Sequence, residues 1–191
     1  MRLAFSLIAA GFVTLASPVW AQTPDPLAPV KEVMDVTVAN WSDNEEEWKG
    51  IFEGDRLGRL FSSNLAELYK QAAQKAATMF DSKEPVDPFD YDVVTNSQDG
   101  CPLQDTKMAV VGEKDGVTDV AVTFRLWACE ENEDTKNLVS EVHFDVVQQG
   151  GKEVIDDIHH VVDGEKDSVK AELKSIIAGE AVPNGGGETE E

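Results

Sequence analysis

From Lys107 to Val162 the chain reads KMAVVGEKDGVTDVAVTFRLWACEENEDTKNLVSEVHFDVVQQGGKEVIDDIHHVV. Apolar and polar side chains alternate through most of this stretch, the period of a strand with one buried face. Val120, Val122, Phe124 and Leu126 share one face of their segment, and Val142, Phe144 and Val146 share one face of the next. Strands are therefore expected over 107–113, 117–129, 137–148 and 152–162. Asp115-Gly116 and Gly150-Gly151 mark tight hairpins, whose central residues need positive φ. The opposite face carries Asp119, Thr123, Arg125, Trp127, Glu141, His143 and Asp145. In an antiparallel sheet such a face meets water or a partner.

The chain has two cysteines, Cys101 and Cys129. A ladder in which Glu113 faces Val117, continued outward from the turn, brings Cys101 opposite Cys129. A structural disulfide is expected, because the pair is far apart in sequence and forms no C-x-x-C redox motif. A zinc site would need more ligands at close spacing, so no metal and no cofactor is expected.

Upstream of the strands the period is helical. Val30, Val33, Met34, Val38 and Trp41 make one stripe over 30–41, and residues 40–48 are polar and acidic, a loop. Residues 53–61 read as a short helix or turn. Asn64 with Glu67 three residues on resembles a capping box. It opens a longer helix lined by Leu65, Leu68, Tyr69, Ala72, Ala76 and Met79, which ends near Phe80 ahead of Pro85 and Pro88. A short terminal helix over 167–177 turns Val169, Leu173 and Ile176 inward. Helices segregated from an antiparallel sheet make an α+β domain. The expected architecture is N-terminal helices packed on one face of a curved four-stranded antiparallel sheet, followed by a short C-terminal helix.

The ends speak to location. Arg2, the apolar run Leu3–Ala16, Pro18 and the small residues at Val19-Trp20-Ala21 form the three-part layout of a secretory signal cut after Ala21. The run is too short for a membrane span, and no Cys follows the cut to carry a lipid. A periplasmic or secreted protein without a stable membrane anchor is expected. Its parts are a signal peptide over 1–21, a proline-rich lead-in over 22–29, one domain over 30–178 and a disordered acidic tail over 179–191. The net charge is −21, and removal of Arg2 with the signal makes it −22. Such a field repels nucleic acid and anionic membrane, favours basic partners, and above all keeps the protein soluble.

Catalytic signatures such as H-E-x-x-H, G-x-S-x-G and a phosphate-binding Gly-rich loop are absent. Ser42-Asp43-Asn44 lacks the companion motifs that would give it meaning. Three constellations remain. In Asp156-Asp157 with His159-His160, strand alternation places Asp157 with His159 and Asp156 with His160, two ligands per face and too few for a metal. Gln98-Asp99 after the Asp87-Pro88-Phe89-Asp90 turn could line the open end of the helix–sheet cleft or serve as turn chemistry. The polar sheet face offers Arg125, Trp127 and His143 as partner contacts.

Leu60-Phe61-Ser62 leading into Leu65-Ala66-Glu67-Leu68, Asp87-Pro88-Phe89 followed by Gln98-Asp99, and Ile155-Asp156-Asp157-Ile158 followed by Ser168-Val169-Lys170 resemble a group of exported bacterial proteins of unknown function. That group has a nuclear transport factor 2-like, cystatin-like cone fold. The resemblance spans roughly residues 30–177. It departs at Glu153, where the family carries a Trp. It implies a cone-like sheet and export, and leaves activity open, because the superfold hosts isomerases, dehydratases, immunity proteins and plain binding modules. Two functions are therefore expected to compete. One is a non-enzymatic binding, accessory or immunity-type module of the cell envelope, taking a protein partner or a small apolar ligand. The other is a cone-fold isomerase or dehydratase with an Asp in an apolar cavity, for which Asp99, Asp156 and Asp157 are the candidates. The oligomeric state is left open by the sequence.

Overall fold

The computed structural model describes residues 25–43, 47–162 and 164–180. The expected signal peptide, the start of the expected lead-in and most of the expected acidic tail lie outside these residues. The helices are α1 (Leu27–Asn40), α2 (Arg56–Arg59), α3 (Ser63–Met79), α4 (Glu133–Lys136) and α5 (Val169–Ala178). The strands are β1 (Gln104–Lys114), β2 (Val117–Arg125), β3 (Ser140–Gln149), β4 (Lys152–Val162) and β5 (Glu165–Lys166). They form one open antiparallel sheet in the order β1-β2-β3-β4-β5.

The α+β class holds, but the sheet has five strands rather than four. The fifth is two residues long. Gly164, at φ 82°, reverses the chain after β4, and Lys166 and Glu165 pair back onto Val161 and Val162. A strand this short leaves no period to detect. The two tight hairpins form where expected, with positive φ at Asp115 and Gly116 and at Gly150 and Gly151. The first is one residue tighter than the sequence reading, since Lys114 rather than Glu113 faces Val117. An irregularity between Val110 and Gly112 then restores the expected register, so that Met108 faces Val122. Cys101 and Cys129 are joined, with Cα atoms 5.7 Å apart. Closing a loop across a separation of 28 residues removes unfolded-chain entropy equivalent to about 3.6 kcal/mol.

The core lies between the helices and one sheet face. Val120, Val122, Phe124, Val142, Phe144, Val146, Ile155 and Ile158 are buried there against Val30, Val33, Phe61, Leu65 and Leu173. α1 opens at Leu27, inside the stretch read as a proline-rich lead-in, because a proline such as Pro29 fits the first turn of a helix. On this helix Thr37 is buried and bonds the Val33 carbonyl (3.1 Å), while Val38 faces out.

The start of α3 differs from the sequence reading. Its cap is Ser62, whose hydroxyl accepts from the Leu65 N–H (3.1 Å), not Asn64. Tertiary pairing decides this. Phe61 makes a parallel bridge to Ile155, with Ser62 N–H to Ile155 O and Ile155 N–H to Leu60 O both 2.8 Å. That fixes the extended backbone at Ser62 from which the helix starts. α3 buries Ala72, Ala73, Ala76 and Ala77, and these small side chains let α5 pack close against it. Among the described residues no helix is long and apolar enough to cross a membrane.

Candidate functional site

The two aspartates of the last long strand occupy different environments because of a bulge. Asp145 faces Asp157, yet the next pair is Val146 with Ile155. Asp156 is the extra residue. It turns toward the helices, accepting from the Ser62 hydroxyl (2.6 Å) and the Lys170 ammonium (2.8 Å). Burial raises its carboxyl, but these two donors outweigh that and hold it below the ordinary value. Asp157 is buried and receives the Ser168 hydroxyl (2.6 Å) together with the backbone N–H groups of Ile158 (2.9 Å) and Lys170 (3.0 Å). Ser168 is itself the cap of α5. The pair thus fastens the starts of α3 and α5 to β4.

Asp157 does share a side with His159, whose Nε2 lies 3.8 Å away. Asp156 and His160 are not brought together. His159 bonds Asp145 (3.0 Å), and this bond, opposed by burial and aided by the Asp167 carbonyl, pushes it up to about 9. His160 is buried, with Nδ1 on the Asp167 carboxylate (2.8 Å) and Nε2 on the Val93 carbonyl (2.7 Å).

The polar sheet face is less open than its composition suggests. His143 is only 7% exposed and sits between Asp119 (2.6 Å), Glu141 (2.8 Å) and the Lys166 ammonium (2.9 Å). β5 supplies that lysine. Asp119 is held below the usual carboxylate range, since the hydrogen bonds from Lys166 and His143 overcome the effect of burial. Arg125 is spent on Asp105 (2.7 Å), Gln104 (3.2 Å) and the Lys136 carbonyl (3.3 Å), which ties β1 to α4. Of the three partner-contact candidates, Trp127 borders a cavity.

That cavity, of about 300 Å³, opens at the ends of β2, β3 and β4. Trp127, Leu138, Val139 and Val162 line it, with Asn96 and His160 supplying polar wall. Leu138, Val139 and Val162 are 55, 63 and 53% exposed, a run of apolar rim on an acidic protein. The alternation of the 137–148 segment hid this rim, because Leu138 and Val139 belong to the loop before β3 rather than to the strand.

A second recess, of about 330 Å³, lies beyond the loop 92–97. It brings together part of the second constellation: Asp87, Phe89, Asp90 and Gln98 line it with Trp48, Tyr91 and Asp92. Asp99 lines neither cavity and is exposed. The loop between the cavities is held by Asp92, which accepts from the N–H groups of Val94 (2.9 Å) and Thr95 (2.8 Å) and lets Asn96 take φ 53°. Burial pushes the Asp92 carboxyl up, and those two N–H groups oppose it. Trp48, Tyr91 and Asp92 were not singled out by sequence, since nothing local links them.

The chain matches no protein-family model, no curated protein and no solved structure.

Proposed function

We propose that this protein is an exported, non-enzymatic binding or accessory module, and that its ligand seat is the pocket rimmed by Trp127, Leu138, Val139 and Val162. The observation that carries this reading is the exposed apolar rim around a cavity of about 300 Å³. Apolar side chains kept in water at the mouth of a concavity gain free energy when a partner covers them. The Asn96 and Ser140 side chains in the lining give an apolar occupant polar points of orientation.

The distribution of acids supports binding over catalysis. A cone-type isomerase or dehydratase needs a carboxylate free to take a proton inside an apolar cavity. Here Asp156 and Asp157 are engaged in joining helices to the sheet. The motifs that resemble the exported cone-fold family meet at this same joint: Leu60-Phe61-Ser62, Ile155-Asp156-Asp157 and Ser168-Val169-Lys170. What that resemblance carries is a way of packing.

The test is native mass spectrometry of protein taken from its own cells, beside the double variant Leu138→Asp, Val139→Asp. A chain beginning at Gln22 with an added mass that the variant lacks supports the reading. An added mass retained equally by both proteins, or none with either, overturns the assignment of the pocket.

A further inference from the structure

The recess on the far side of the 92–97 loop has a different chemistry. Carboxylates alone would not define a site on so acidic a chain. Here they share a concave space of about 330 Å³ with three aromatic rings. Trp48, 51% exposed, stands at its edge, propped edge-on against the buried Trp41 with ring centres 5.8 Å apart. Phe89 and Tyr91 form the aromatic floor, 5.6 Å apart and steeply inclined to each other. Tyr91 is fixed by its hydroxyl, which donates to Glu172 (2.5 Å). Asp87, Asp90 and Asp92 line it together with Ser97 and Gln98, and no lysine or arginine is part of it. Among the described residues none of the three forms an ion pair.

Aromatic faces present negative charge to a cation, and the attraction grows when the cation leaves water. Carboxylates beside such faces add a Coulomb field of the same sign. A bare metal ion prefers an oxygen cage to aromatic rings. An organic cation gains from both walls. We propose that this recess binds an alkylammonium head group, with Trp48 at its aromatic edge, Tyr91 in its aromatic floor and Asp90 as a charge partner. This stands independently of the apolar pocket, which is lined by other side chains apart from Ser97.

The probes are tetramethylammonium, choline and the uncharged choline isostere 3,3-dimethylbutan-1-ol, titrated while the indole N–H resonance of Trp48 is followed by NMR. Choline and Nα-acetyl-lysine methylamide run side by side tell whether a free quaternary amine or a lysine side chain is the better source of the same chemistry. Saturable shifts with the cations, at least tenfold weaker with the isostere, are expected. Trp48→Ala should lose binding at least tenfold, and Asp90→Asn severalfold, each with an unchanged melting temperature that shows the fold intact. Equal binding of charged and neutral probes, no saturable shift, or calcium displacing the ammonium at lower concentration would each overturn the proposal.

Discussion

Two groups of aspartates in this molecule are put to opposite uses. Asp156 and Asp157 each receive two or more donors from neighbouring elements, and their charge is absorbed into the joint between β4, α3 and α5. Asp87 and Asp92 accept from backbone N–H groups and have uncharged neighbours such as Tyr69 and Trp41 beside them, and none of Asp87, Asp90 and Asp92 pairs with a basic side chain among the described residues. The first group lies in a strand, where tertiary partners come from both sides. The second lies on the 87–92 turn, where the chain folds round a space. The same side chain is framework in one place and an available field in the other, and exposure of the neighbouring surface, not residue type, separates them.

Breaking the framework group should have the largest effect. Asp157→Ala strands the half-buried Ser168 hydroxyl and two backbone N–H groups, and leaves a gap at a buried position, so a loss of roughly 2–4 kcal/mol is expected in urea unfolding. A loss below about 0.5 kcal/mol would mean that the joint is not held by this carboxylate. Asp156→Ala strands the Ser62 hydroxyl, which is 2% exposed but keeps its bond to the Leu65 N–H, and leaves the partly exposed Lys170 ammonium to water, and should cost roughly 1–2 kcal/mol.

The pH dependence sharpens the same contrast. His159 titrates near 9 in the folded protein against an ordinary 6.5. A raised folded value means that its contribution is complete below about 6.5 and is lost as pH rises through about 9. Asp156, held below its ordinary 3.8, adds stability that is present above that value and fades as pH falls through its lowered one. Melting temperature should therefore decline on both sides of a plateau, and His159→Gln should flatten the alkaline decline. An alkaline limb unchanged in that variant would assign the loss elsewhere. The smallest effect belongs to the open group. Asp90→Asn should shift stability by less than about 0.5 kcal/mol, because an exposed carboxylate without a partner has no native interaction to lose.

Much of the fold was legible because strand alternation is a local property. The residues from Val120 to Leu126 and from Val142 to Val146 face the core as their spacing requires, and the cysteine pairing follows from the hairpin. The failures share a cause. Ser62 rather than Asn64 caps α3 because a distant strand holds its backbone. β5 is shorter than any period. The apolar rim of Leu138 and Val139 was masked by reading them into a strand. The aromatic recess draws on Trp48, Phe89, Tyr91 and Gln98, which no single window contains. Sites of this kind are assembled by the fold and leave little trace in order of residues. Trp127, by contrast, was picked out by sequence because it follows a strand whose faces were already assigned, and it borders a cavity.

The extra residue at Asp156 also acts as a positional lock. A strand with unbroken alternation can slip by two residues along its neighbour and keep the same side chains inside. β4 cannot. Its change of phase at Asp156 is what lets both Ile155 and Ile158 face the core. The serine and lysine that grip the extra residue from outside the sheet pin it opposite the Asp145–Val146 step, so a slip of β4 would break both bonds.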